Sequence, residues 1–232
     1  MRWFATFLAL IACFAAVPLS AREVTYEIVE TYEVLPGGGE RFLGAETLTL
    51  PEDPIPAGIA AFGPFRVLDA RRAALVGVTD AASPRQFSAM LRAFPGISEI
   101  EMIDCPGTED DLANLRVGRM IRSAGIAMRV PANGSVRSGA VELFLAGTRR
   151  IAEPGAEFAV HAWLDDTGHE ATDYSGTDPE NAKYLTYYRE MGMSGIEAEA
   201  FYAMTNAAPH RSARWLNAAQ MAMWVRLDGP AG

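Results

Sequence analysis

Apolar and polar positions fall into two regimes along this chain. Between residues 22 and 50 they alternate. Val24, Tyr26, Ile28, Tyr32 and Val34 keep one phase, and Thr25, Glu27, Thr31 and Glu33 keep the other. A period of two predicts a strand. Pro36-Gly37-Gly38-Gly39 reads as a turn, and Glu46 to Leu50 as the returning strand. Pro51 to Pro64 holds four prolines and reads as a linker. Residues 22–65 are therefore expected to form a small β appendage with its linker, and 66–232 the main domain.

From Ala73 the pattern changes. Ala73 to Val78 is a continuous apolar run, as in a parallel strand buried on both faces. A helix should follow, with Ser83 as N-cap, Pro84 in its first turn and Gln86 closing a capping box. Phe87, Met90, Leu91 and Phe94 make its buried face, and Pro95-Gly96 stops it. Ile97 to Ile103 is the next strand and delivers the loop from Asp104 to Thr108. Glu109, Asp110 and Asp111 suit the first turn of a helix reaching Ala124. Arg116, Arg119 and Arg122 read as a solvated stripe on it. Ala127 to Val130 is a third strand, leading into a turn of small residues from Gly134. A helix is expected to start at Ser138 and to be buried, because Ala140 to Ala146 is almost wholly apolar. Glu157 to His161 is a strand with the histidine near its end. Asp165 to Asp178 is polar and reads as a surface loop, or as a flap over a site. Asp178-Pro179 opens a helix to Met191, Ser194 with Glu197 caps another, and Asn217 with Gln220 caps a short last one. Strands alternating with helices predict an α/β fold with parallel strands and right-handed crossovers. Active loops in such folds lie at the C-terminal ends of the strands.

Composition narrows the function. Half of the 232 residues are apolar, so the chain is globular. A net charge of −9 argues against nucleic acid and anionic membranes as partners. Residues 1–21 have the order of a secretory signal: Arg2, an apolar stretch from Phe4 to Val17, then Pro18-Leu19-Ser20-Ala21. That stretch is shorter than the ~20 residues of a spanning helix. Export to the periplasm or beyond is expected, with no membrane association after cleavage. The mature chain would keep one cysteine, Cys105, and no disulfide. No metal or other cofactor is expected, and there is no phosphate-binding glycine loop.

The candidate chemistry lies between Gly134 and His161. A serine at the start of a buried helix has an exposed hydroxyl beside unpaired backbone N–H groups. A histidine brought beside it can take its proton. Either residue alone is more often structural, Ser138 as a plain N-cap. Three motifs, in order and in register, reduce that ambiguity. Ser138-Gly139-Ala140 leads to Ala146-Gly147-Thr148, Pro154-Gly155-Ala156 precedes His161 by seven residues, and Cys105-Pro106-Gly107-Thr108 lies upstream. Together they resemble the active-site segments of the Clp protease proteolytic subunit and its periplasmic relatives in the ClpP/crotonase superfamily. The resemblance spans about residues 70–228.

That resemblance implies a ClpP-like core of repeated β-β-α and βαβ units and a homo-oligomer. It implies Ser138 as nucleophile, His161 as base, and the N–H groups of Gly139 and Thr108 as an oxyanion hole. Thr108 stands where the family has the second glycine of a Ser-Pro-Gly-Gly loop, and Cys105 where it often has serine. The family's aspartate falls at Ala213, just before Arg214-Trp215-Leu216. Asp165, Asp166 and Asp173 are other acids near His161 in sequence. Lys183, the sole lysine, is the only candidate for a Ser-Lys dyad. The expected function is an exported, ATP-independent serine hydrolase acting on a peptide or ester. The alternatives are a degenerate relative kept as a binding or scaffold protein, and a crotonase-type acyl-CoA enzyme.

Overall fold

The computed structural model describes residues 55–229 in full, together with the backbone of Tyr26–Val34 and Glu40–Thr49. Residues 1–21 and the turn Pro36 to Gly39 lie outside the described residues. The chain divides into two units, Met1–Glu52 and Asp53–Gly232. In the first, β1 (Tyr26–Val34) pairs antiparallel with β2 (Glu40–Thr49), with a register shift between Thr31 and Tyr32. The returning strand therefore starts six residues before the expected Glu46.

The second unit is built on a nine-stranded sheet. Its edge is a hairpin of β3 (Ala60–Phe62) and β4 (Phe65–Val67). Residues 60–64 are thus not linker, as their prolines and glycines suggested. Phe65 and Val67 are fully buried, and antiparallel pairing with β5 (Arg72–Val76) supplies the strand's partners. Non-local packing of this kind overrides local turn propensity. β5 runs parallel to β6 (Glu99–Cys105), and α1 (Ser83–Ala93) crosses between them. The cap of α1 differs from expectation. Asp80 Oδ1 accepts the N–H groups of Ala82 and Ser83, at 2.9 and 3.0 Å, so Asp80 takes the capping role three residues early. Gln86 closes no box, and its buried Oε1 has no partner.

At β6 the sheet forks. Glu99 to Glu101 pair with β7 (Ala127–Val130), whereas Asp104 and Cys105 pair with β8 (Ser135–Arg137). α2 (Asp111–Ser123) makes the crossover to β7. Its N-cap Asp110 accepts the N–H of Ala113 at 2.9 Å. Arg122 is not part of a solvated stripe, because its guanidinium donates to the carbonyl of Gly147 at 3.0 Å. β8 also replaces part of the expected turn of small residues. Val136 is fully buried, while Arg137 reaches out to Asp104 at 2.8 Å, the alternation of a half-buried strand.

From β8 the chain enters α3 (Ala140–Ala146), whose seven residues are all buried. β9 (Arg150–Ala152) pairs with β7, and β10 (Glu157–Val160) pairs parallel to β8. β11 (Arg214–Asn217) closes the other edge antiparallel to β10. Between β10 and β11 lie α4 (Pro179–Glu190) and α5 (Gly195–Thr205); α6 (Ala218–Met221) follows. Asp178 caps α4, and Ser194/Glu197 and Asn217/Gln220 form the expected capping boxes. Leu143, Phe144, Phe158, Leu75 and Met102 fill the core behind α3. No helix among the described residues is long and apolar enough to cross a membrane.

Candidate active site

The C-terminal ends of β6, β8 and β10 carry the three motif segments into one region. Ser138 does not begin the helix. It is the turn residue between β8 and α3, and it holds φ +51°, the one positive φ outside glycine among the described residues. That conformation costs an L-residue roughly 1–2 kcal/mol. It is imposed from both sides: Ser138 N–H donates to Ala159 O at 2.8 Å, and Val141 N–H donates to Ser138 O at 2.9 Å. A serine on a strained strand-to-helix turn exposes its hydroxyl at the top of the sheet.

The loop after β6 lies against this turn. Gly107 has φ +136°, and a Cβ there would sit 3.0 Å from Ser138 Cβ. A Cβ on Gly139 would meet Thr108 Cγ2 at 2.5 Å. Threonine at 108 is accommodated because its hydroxyl donates to Thr79 O at 3.1 Å and its methyl group faces Gly139. Thr79, fully buried, is the anchor. Its N–H donates to Gly107 O, and its hydroxyl donates to Asn114 Oδ1 at 2.9 Å. Asn114 Nδ2 in turn donates to Gly139 O at 2.6 Å. The N–H groups of Gly139 and Thr108 make no hydrogen bond within the described residues.

His161 follows β10 and is half-buried. It lines one cleft with Ser138 and Gly139, although no hydrogen bond joins it to Ser138. Its Nδ1 lies 2.8 Å from Ala162 O. A carbonyl only accepts, so in the neutral ring Nδ1 carries the proton and Nε2 keeps its lone pair. No carboxylate reaches His161 among the described residues. Ala213 is exposed, Asp173 accepts the N–H of Glu170, and Asp166 is exposed without a bond to the ring. Asp165 is taken up by Tyr174, Thr167 and His169, and the Tyr174 hydroxyl in particular holds its carboxyl well below the usual range. Lys183 is paired with Glu180 at 2.6 Å and is not on an exposed face, since only 22% of its side chain is accessible. Cys105 is fully buried, donates to Leu75 O at 3.2 Å, and has its thiol pushed up by burial, so it is inert.

Two features were not found from sequence. His210, which belongs to none of the three motifs and is exposed, sets its ring edge-on to His161 with centroids 4.8 Å apart. A hydrogen bond from Ala162 N–H to Ala208 O, 2.7 Å, brings that loop in. The second feature is the cleft wall. Glu142 projects from α3, 8% exposed, and accepts the Tyr188 hydroxyl at 2.9 Å. Burial pushes its carboxyl up to about 7 against that hydrogen bond. Trp163, Tyr184, Tyr188 and Tyr202 complete the wall. The signal for Glu142 was one acid inside an otherwise apolar helix.

No family model matches the chain, and no curated protein matches it in sequence. Solved structures do match. ClpP1 from Listeria monocytogenes, solved as a point mutant, superposes with TM-score 0.50 at 17% identity, covering 69% of this chain and 91% of that one. The chain has a ClpP-like fold. A membrane-bound stomatin-specific protease, solved with a substrate peptide, aligns at TM-score 0.42 and 15% identity, over 66% of this chain and 73% of its own. In the second unit, β6, β8 and β10 deliver Thr108, Ser138 and His161 to one end of the sheet.

Proposed function

We propose that this chain is an exported, ATP-independent serine hydrolase that transfers acyl groups from a peptide or ester to water. The observation that carries the reading is Ser138, strained on a strand-to-helix turn in the cleft that it shares with His161, whose free ring nitrogen is Nε2. Ser138 Oγ attacks the substrate carbonyl while His161 Nε2 takes its proton. The N–H groups of Gly139 and Thr108, otherwise unbonded, stabilise the oxyanion. The imidazolium then protonates the leaving group, and water repeats the sequence on the acyl-enzyme to regenerate Ser138.

A carboxylate beside the base normally fixes its tautomer and stabilises its cation. Ala162 O performs the first task here. It carries no charge for the second, so turnover should be slow. The distance from Ser138 to His161 is expected to close on substrate binding, since catalytic hydrogen bonds are often long in free enzymes. Turnover of p-nitrophenyl acetate by the parent and by Ser138→Ala tests the reading. Hydrolysis should disappear with the serine; equal rates in the two would overturn it. The absence of an acid partner for His161 among the described residues favours a second reading, a binding protein that keeps the fold without chemistry. Acyl-CoA chemistry has no comparable support.

Export rests on the pattern of residues 1–21. Intact-mass measurement of material from the cell exterior or periplasm should find a chain beginning at Arg22. A mass that retains residues 1–21 would refute cleavage.

A further inference from the structure

The polar atoms around the pocket beside Ser138 are unbalanced, because almost every donor is already used. The Tyr188 hydroxyl donates to Glu142 at 2.9 Å and that of Tyr184 to Asp111 at 2.5 Å. Trp163 Nε1 donates to Tyr202 Oη at 2.7 Å, and the Tyr202 hydroxyl to Asn181. Asn206 Nδ2 is committed to Tyr202 O at 2.8 Å and to Thr205 Oγ1 at 3.2 Å. That fixes its amide so that Oδ1 is buried and accepts nothing. The spare capacity is therefore acceptor capacity. A carboxylate can accept about four hydrogen bonds, and Glu142 receives one from a side chain. Neither Glu142 nor Asp111 forms an ion pair among the described residues.

The walls suit a cation as well. Lys183 Nζ already lies 5.2 Å from the Tyr184 ring centroid and 5.7 Å from that of Trp163, so both rings serve as cation acceptors. Its charge is balanced by Glu180, which leaves Glu142 and Asp111 as the carboxyl groups of the lining with no basic partner among the described residues. The free volume is about 50 Å³, several times what one water needs, which limits the occupant to a small group. Glu142 lies four residues beyond Ser138 in the chain, and both line this pocket.

We propose that this pocket is the specificity pocket for a slender primary alkylammonium, such as a lysine side chain, with Glu142 as its counter-charge. The proposal rests on the hydrolase reading for its place in catalysis. The pocket itself does not depend on a working nucleophile. A bound ammonium would supply further donors to Glu142, and its methylenes would cover the aromatic faces. A neutral alkyl group of the same length would leave the buried carboxyl with the Tyr188 hydroxyl but no opposite charge.

The test compares two peptidyl diphenyl phosphonates, one with an aminobutyl and one with a butyl side chain at the reacting residue. Each forms a bond from phosphorus to Ser138 Oγ and releases phenol. Labelling by the aminobutyl reagent should be at least about tenfold faster, a modest charge-pair effect. In Glu142→Gln the ratio of the two rates should fall to near one. A ratio near one in the parent, or one unchanged in Glu142→Gln, overturns the proposal. A second arm needs no chemistry: n-butylammonium binding to the Ser138→Ala chain by NMR titration, with n-butanol as control. Saturable binding with Kd of order 1 mM, and none for n-butanol, upholds the pocket even if Glu142→Gln fails to fold. No binding by either overturns it. If neither phosphonate labels the parent and a fluorophosphonate also fails, the hydrolase reading falls. The titration then decides the pocket alone.

Discussion

Replacing Glu142 with glutamine removes the one carboxylate inside α3, and its effect on stability should depend on pH in a defined direction. Burial raises the group from an ordinary 4.5 to about 7, opposed by the Tyr188 hydroxyl and reinforced by Asp111. Below about pH 4.5 the acid is protonated in both folded and unfolded chains, and it adds no pH-dependent cost. As pH rises from there, the unfolded chain ionises first. The folded state then loses roughly 1.4 kcal/mol per pH unit until its own group ionises near 7. Beyond that the loss is complete, at about 3 kcal/mol. Glutamine keeps the shape and can still accept from Tyr188, but it does not titrate. Urea unfolding of parent and Glu142→Gln at intervals from about pH 4 to 8.5 measures the difference. The parent should lose about 3 kcal/mol relative to the variant across that range, most of it between 4.5 and 7. A difference that changes by less than about 1 kcal/mol would mean that Glu142 is solvated, and the reasoning about the cleft would fail.

Other substitutions test the turn and its supports. Ser138→Gly should be more stable than Ser138→Ala by about 0.5–1 kcal/mol, since glycine relieves the positive φ and loses part of that gain in the unfolded chain; the reverse order in urea unfolding would show that the turn is unstrained. Gly107→Ala should cost about 1–3 kcal/mol and abolish labelling of Ser138, because both the backbone angle and the 3.0 Å approach to Ser138 Cβ oppose a side chain; an unchanged melting temperature would count against the loop placement. Gly118→Ala, ordinarily stabilising in a helix, should destabilise by about 1–3 kcal/mol, because the new Cβ would fall 1.8 Å from the buried Tyr187 hydroxyl. Ala213→Asp should raise the labelling rate less than tenfold, because His161 Nδ1 is already held by Ala162 O at 2.8 Å; a larger gain would show that the ring turns to meet the new acid.

What the sequence made legible is what local chemistry dictates. The continuous apolar runs of β5 and β7 needed no partner to be read as buried strands. The caps of α4, α5 and α6 are interactions within four residues, and the structure has them as expected. The ClpP-like fold was visible in three spaced motifs. Elements that depend on distant partners were not. β3 and β8 are strands because of what lies beside them, and small residues at 134 and 135 or prolines at 56 and 64 give no sign of it. The strain at Ser138 is set by Ala159 across the sheet. The Tyr184, Tyr188 and Tyr202 wall comes from two helices that meet Glu142 only after folding, and the edge contact of His210 with His161 is made by a loop fifty residues downstream. Residue spacing encodes which side chains share a helix face, not which helix they face.

The central claim is that Ser138 is a nucleophile activated by His161. Incubation with a fluorophosphonate, followed by peptide mapping by mass spectrometry, addresses it directly. The adduct should map to Ser138, form slowly, vanish in Ser138→Ala, and form about a hundredfold more slowly in His161→Gln, the low end for loss of a general base. No adduct at Ser138 in the folded parent, or an equal rate without His161, would contradict the claim and leave the binding-protein reading in its place.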